Sequence, residues 1–222
     1  MLKDILAQVP NTITCLNLIS GCVAIALAFA GNYTGASAAI FAAAVFDFMD
    51  GAVARLMKAY SAVGKELDSL SDLVSFGVAP AAMLFNVLPE QLSWIAIAVP
   101  VCGALRLARF NVDSRQTTSF IGMPIPANAL MWVGAVAWYS TAAPQIPEWL
   151  IICAVGLGAQ TMLDPIQLVS LKFQNFGFST ENVLRYAVIF IAVVSVILLG
   201  LPGLSLTVLF YYCLGLVYPF LP

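Results

Sequence analysis

The stretch Asp47–Gly77, DFMDGAVARLMKAYSAVGKELDSLSDLVSFG, places four aspartates, Asp47, Asp50, Asp68 and Asp72, within 26 residues of a chain that is 62% hydrophobic and contains no histidine. Carboxylates at or inside a membrane are costly unless they are paired, metal-bound or facing a polar cavity, so these four are the first functional candidates. Asp47 and Asp50 stand at i, i+3 and Asp68 and Asp72 at i, i+4, which puts each pair on one helix face. Two such helices, joined by the short basic turn Leu56–Lys65, are expected to be antiparallel neighbours with all four carboxylates converging. Like charges this close stay ionised only beside cations. The pattern therefore implies one or two divalent metals, magnesium foremost, because that ion favours carboxylates together with substrate phosphates.

Outward from this stretch the chain is apolar to both ends. Charged residues make up 9% of its 222 residues, and the mean hydropathy is +0.98. The fold class expected is all-α, a polytopic integral membrane helical bundle of about eight transmembrane helices. The spans are expected at 12–30, 34–57, 66–87, 91–110, 125–142, 147–163, 182–200 and 203–220. Connections are short and no low-complexity linker divides the chain, so residues 1–222 are expected to form one membrane-embedded domain with its catalytic motif at 47–72. The N-terminal MLKDILAQVP is too brief and polar for a signal peptide and reads as a short interfacial helix ending at Pro10.

The nine basic residues give an orientation. Lys3 precedes the first span; Arg55, Lys58 and Lys65 lie between the second and third; Arg106, Arg109 and Arg115 between the fourth and fifth; Lys172 and Arg185 between the sixth and seventh. The alternate connections carry none, so both termini and the acidic hairpin are expected in the cytoplasm, with the chain in the cell (inner or plasma) membrane. Cys15, Cys22, Cys102, Cys153 and Cys213 lack metal-ligand spacing and read as small core residues. Without histidine a zinc or haem site is not expected. No nucleic-acid partner is expected. Gly21, Gly51, Gly103, Gly156 and Gly158 are of a kind that lets helices approach closely.

Written out, the acidic stretch is Asp47-x-x-Asp50-Gly51-x-x-Ala54-Arg55, eight residues, then Gly64-x-x-x-Asp68-x-x-x-Asp72. It resembles, position by position, the signature of the CDP-alcohol phosphotransferase family. The resemblance implies transfer of a phosphoalcohol from a CDP-alcohol to a hydroxyl acceptor with release of CMP. It implies that Asp47, Asp50 and Asp68 bind a divalent cation, Mg2+ or Mn2+, bridging the substrate diphosphate, and that Asp72 is the catalytic base beside the metals. Gly51 would let the backbone approach the nucleotide, Gly64 would permit the tight hairpin, and Arg55 would meet phosphate, its alternative being an interfacial snorkelling residue. Pro10, Asn11, Thr12, Ile13 and Ser61 align with nucleotide-contacting positions of related enzymes, while Asn11, Thr12 and Thr14 read equally well as helix N-caps. A homodimer is expected because the family forms dimers.

The flanking segments narrow the acceptor. Ser75-Phe76-Gly77-Val78-Ala79-Pro80, Leu105-Arg106-Leu107-Ala108-Arg109-Phe110-Asn111 and Gly122-Met123-Pro124-Ile125-Pro126-Ala127 resemble the membrane-integral phosphatidylserine synthases of that family, as does Pro10-Asn11…Thr14…Asn17…Gly21. The resemblance covers about residues 10–130, with only the Leu168–Phe173 region similar beyond them, and implies CDP-diacylglycerol and L-serine as substrates. Zwitterionic serine needs a cation for its carboxylate, and Arg106 and Arg109 share one helix face, although either serves equally as a positive-inside determinant. A phosphatidylglycerophosphate synthase is the nearest alternative. An ion-coupled transporter is disfavoured, because no internal repeat is present and the acids are confined to one hairpin near one interface.

Overall fold

The computed structural model describes residues 2–59, 61–112, 120–142, 145–168, 177 and 179–218. Helix α1 spans Leu2–Phe29, α2 Tyr33–Met57 and α3 Ala62–Asp72. A π-helical turn, Leu73–Val78, carries α3 into α4, Ala79–Val87, and a 3-10 turn, Ser93–Ile97, leads into α5, Ala98–Val112. Then follow β1 (Phe120–Ile121), α6 (Ile125–Ala142), α7 (Glu148–Gln160), β2 (Gln167–Leu168), α8 (Thr180–Leu199) and α9 (Pro202–Val217). Contacts gather into two compact units, Met1–Leu107 and Ala108–Pro222.

In the first unit α1 and α2 pack along a seam of small side chains. Ala24 and Ala28 on one helix and Ala36, Ile40 and Ala43 on the other are all fully buried. Positions 36, 40 and 43 repeat at helical period, and small residues let the backbones close up where lipid gives no hydrophobic drive between helices. The turn between them rests on Gly31, at φ +73°, and on Asn32, whose side chain accepts from the Gly35 N–H at 2.8 Å. α2 ends at Lys58 in the left-handed conformation, and Ser61 caps α3 by accepting from the Gly64 N–H at 2.9 Å. The turn of the acidic hairpin is thus shorter than expected, and Lys65 belongs to α3.

The π turn has a local cause. Pro80 has no N–H, and its ring would crowd the carbonyl four residues back, so the ladder shifts and Ala79 N–H bonds Val74 C=O instead. Shifting the ladder keeps a membrane-spanning backbone satisfied through Ala62–Val87.

In the second unit α9 packs on both α6 and α8. Ser205 Oγ donates to the Met131 carbonyl at 2.5 Å and Ser195 Oγ to the Gly203 carbonyl at 3.0 Å. Strands β1 and β2 form a two-residue antiparallel ladder, Phe120 with Leu168 and Ile121 with Gln167, a small departure from the all-α expectation. Gly122, at φ +75°, turns the chain out of the ladder, and a Cβ there would lie 2.5 Å from the Met162 carbonyl oxygen.

Among the described residues five helical segments are long and apolar enough to cross a membrane, Gln8–Phe29, Tyr33–Met57, Ala62–Val87, Ser93–Val112 and Asn182–Leu199, as expected of an integral membrane protein. The other three expected spans are helical as well. α7 and α9, with 13 and 16 residues, are shorter than the ~20 residues typical of a span, and α6 carries Asn128 in its interior and a polar Ser140–Thr141 end. The N-terminal expectation is corrected. α1 runs unbroken through Pro10, because a proline near the start of a long helix removes a single ladder bond and the turns beyond it continue. The cysteines are corrected too: Cys15, Cys22, Cys153 and Cys213 are exposed rather than in the core. In lipid an outward apolar side chain is not penalised.

Candidate active site

Asp47 and Asp50 project from the second half of α2, and Asp68 and Asp72 from α3. One carboxylate oxygen from each of Asp47, Asp50 and Asp68 lies within 4.8 Å of the others. Asp50 is buried and Asp47 half-buried. Asp72, 9% exposed, sits one turn further along α3, outside that trio but close enough to Asp47 and Asp68 to interact with both electrostatically. The convergence expected of four carboxylates is thus tight for three. α2 and α3 are not packed on each other along their length; α1 packs against both, and the gap between them is a cavity.

The cavity, about 300 Å³, is walled by Pro10, Asn11 and Thr14 of α1, by Asp50, Gly51, Ala54 and Arg55 of α2, and by Gly64, Lys65 and Asp68 of α3. Ala59 and Ser61 close the turn side. Arg55 and Lys65 are exposed at this wall and supply positive charge opposite the acids. The structure therefore gathers Pro10, Asn11, Gly51, Arg55, Ser61 and Gly64 where the sequence placed a nucleotide, whereas Thr12 is exposed and neither it nor Ile13 lines the cavity. Gly64 lies in the first turn of α3, where a Cβ would stand 2.7 Å from Asn11 Oδ1 and 2.9 Å from Ser61 Oγ, so it leaves room both for α1 and for the Ser61 cap at the hairpin turn. Gly51 leaves the cavity wall open, the nearest atom to a Cβ there being Arg55 Nη1 at 3.5 Å. Gly21 and Gly158 meet the close-approach expectation, at Ser75 and Trp132, and Gly156 faces open space.

Asn11, Thr12 and Thr14 are mid-helix and are not N-caps. Thr14 has another partner: its hydroxyl donates to Asp50 Oδ2 at 2.5 Å. Asn17 Nδ2 donates to Asp72 Oδ1 at 3.3 Å, and Ser75 Oγ donates to the Asn17 carbonyl at 3.0 Å. Neither Thr14 nor Asn17 had been given a role at the site from the sequence. Their spacing on one helix face was visible, but nothing local says which face meets the acids.

The two arginines of α5 part company. Arg106 is buried, 8% exposed, and lies within electrostatic reach of Asp72. Arg109 is exposed and belongs to the second unit, where its guanidinium donates to the Leu163 carbonyl at 3.5 Å. Arg115 and Lys172 lie outside the described residues, as does all of Leu168–Phe173 except Leu168.

Three carboxylates within 4.8 Å form a set of hard oxygen donors of one charge sign, the donor chemistry that fits a divalent cation of the magnesium or manganese kind and not a soft or imidazole-seeking metal.

The family model for CDP-alcohol phosphatidyltransferase matches residues 7–160, which include every element of this site. The chain is 46% identical over 127 residues to a CDP-diacylglycerol–serine O-phosphatidyltransferase of Methanocaldococcus jannaschii, covering 57% of this chain and 59% of that protein. It is 42% identical over 122 residues to the enzyme of that name from Bacillus subtilis, covering 53% and 69%, respectively. With that of Mycobacterium leprae the identity is 41% over 138 residues, 58% of this chain and 46% of the relative. The matches thus span roughly half to two thirds of these relatives' lengths.

Proposed function

The chain belongs to the CDP-alcohol phosphatidyltransferase family, and from that premise we propose that it transfers the phosphatidyl group of CDP-diacylglycerol to the hydroxyl of L-serine, giving phosphatidylserine and CMP. The observation that carries the reading is the carboxylate trio set into the wall of a cavity whose rim bears Arg55 and Lys65. Asp47, Asp50 and Asp68, with Asp72 at their edge, would hold Mg2+ or Mn2+. When bound, that ion offsets charge on the substrate diphosphate and on the breaking phosphoanhydride.

The chain's own side chains account for the remaining steps. Arg55 and Lys65 draw the diphosphate to the rim, and Gly51, Gly64 and Pro10 leave room for the cytidine. Asp72 accepts the serine hydroxyl proton on Oδ2, the oxygen that Asn17 does not engage. The serine oxygen forms its bond to the phosphorus distal to cytidine, the phosphoanhydride bond breaks, and CMP leaves. Arg106 would receive the serine carboxylate in a bidentate fork, a reading supported by its burial and its electrostatic reach of Asp72. The identities of the relatives support serine as the acceptor. Eight spans, both termini and the site on the cytoplasmic side of the cell membrane, and a homodimer complete the proposal.

The test is an acceptor panel: detergent-solubilised chain, CDP-diacylglycerol and Mg2+ or Mn2+, with L-serine, glycerol 3-phosphate, inositol or water. Cation-dependent CMP release with serine alone is the expected result. Turnover with glycerol 3-phosphate and none with serine would make the chain a phosphatidylglycerophosphate synthase instead.

A further inference from the structure

Thr14 and Asn17 stand three residues apart on one face of α1, with 3% and 0% of their surfaces exposed. Each reaches a carboxylate on a different helix. The Thr14 hydroxyl lies 2.5 Å from Asp50 Oδ2 and 3.0 Å from the Pro10 carbonyl, and its single proton goes to the shorter, charge-assisted bond. Asn17 Nδ2 lies 3.3 Å from Asp72 Oδ1.

Asn17 is itself fixed from the far side. Ser75 Oγ donates to its carbonyl at 3.0 Å, an approach made possible one turn on by Gly21, where a Cβ would stand 2.3 Å from that oxygen. Its Oδ1 is buried and has no hydrogen-bond partner among the described residues. A leucine would fill this position without leaving an acceptor unsatisfied, so packing alone does not account for the amide.

We propose that Thr14 and Asn17 are positioning residues that divide the reaction between them: Thr14 orients Asp50 for the cation, and Asn17 orients Asp72 for proton acceptance. The inference rests on the phosphatidyl-transfer reading and assigns α1 the outer partners of both. Such partners typically govern metal affinity or activity without touching the reacting atoms.

The test is a double dissociation on the detergent-solubilised full chain, with Mn2+ affinity read by calorimetry and CMP release read as kcat and KM. Thr14→Val should weaken Mn2+ binding by about 10- to 100-fold, and Thr14→Ser should restore it. Asn17→Leu should weaken Mn2+ binding far less than Thr14→Val does, because Asp72 stands only at the edge of the trio, while lowering kcat by about 10-fold or more with the KM for CDP-diacylglycerol near wild type. Wild-type Mn2+ affinity in Thr14→Val, or equal losses of Mn2+ affinity in both variants, would overturn the proposal and reduce the pair to packing. If the valine variant does not fold, Thr14→Ala against Thr14→Ser isolates the same hydroxyl. A wild type that binds Mn2+ but ignores serine would overturn the acceptor assignment and leave the Mn2+ comparison standing.

Discussion

In the second unit Asn128 donates to the Gly158 carbonyl at 2.8 Å and to Thr161 Oγ1 at 3.3 Å, accepts from Trp132 Nε1 at 2.7 Å, and Thr161 closes the set by donating to Gly158 at 2.7 Å. In the first unit three aspartates crowd within 4.8 Å, and Asn17 Oδ1 and Ser71 Oγ are buried with no hydrogen-bond partner among the described residues. Both clusters are polar and lie among apolar helices. One is neutral and satisfies itself; the other keeps like charges together and leaves acceptors open. A network that only ties helices together gains by closing every bond, since each orphaned group in a low-dielectric setting is costly. On the proposed reading the acidic cluster keeps like charges together for a cation and a diphosphate, and the fold carries that cost.

The sharpest break between the two clusters should come from Asp72→Asn. Losing the proton acceptor should lower kcat by roughly 10²–10⁴-fold, while the melting temperature in the same detergent holds or rises because one crowded charge is gone. CMP-release kinetics and a thermal melt on one preparation check both halves. A variant that kept its turnover would remove Asp72 from catalysis.

Asn128→Leu should do the reverse. It leaves the buried Trp132 N–H without its acceptor and takes one donor from Thr161 and from the Gly158 carbonyl, and should cost about 2–3 kcal/mol of stability, with kcat per folded molecule near wild type. Denaturant or thermal unfolding beside the same assay reads it, and a variant as stable as wild type would show that the closed network contributes nothing.

A smaller effect is expected at Gly21→Ala. The new Cβ would stand 2.7 Å from Ser75 Cα, a backbone atom that cannot turn aside, so α1 must move, at about 1–2 kcal/mol. Because Asn17 is one turn away, kcat should fall as well, though less than for Asp72→Asn. Unchanged kcat would separate the Gly21 contact from the site.

The acids were legible because their geometry is local: spacings of three and four residues fix a helix face whatever the surroundings. Thr14 and Asn17 were not, since their carboxylate partners are 36 and 55 residues away and only packing selects them. The room that Gly64 gives the hairpin is a local matter, since Ser61 is three residues away, whereas its contact with Asn11 arises only when α1 is in place. Pro10 reads locally as a terminator, although a long helix loses one bond to it and continues. Arg106 and Arg109 look equivalent at i, i+3, yet ~100° per residue leaves them about 60° apart around the helix, and the edge of burial falls between them. The spans α1 to α5 and α8 followed from hydropathy, whereas α7 and α9 are shorter than their apolar sequence runs suggested.

The central claim is that the trio Asp47, Asp50 and Asp68 is assembled to hold a divalent cation, and thermal unfolding with and without Mn2+ tests it most directly. At about 100 times its dissociation constant Mn2+ should stabilise the wild type by about 2.7 kcal/mol. Asp68→Asn should gain far less, and without the ion should melt no lower than wild type. A wild type whose melting does not respond to Mn2+, or a shift of the same size in Asp68→Asn, would contradict the account.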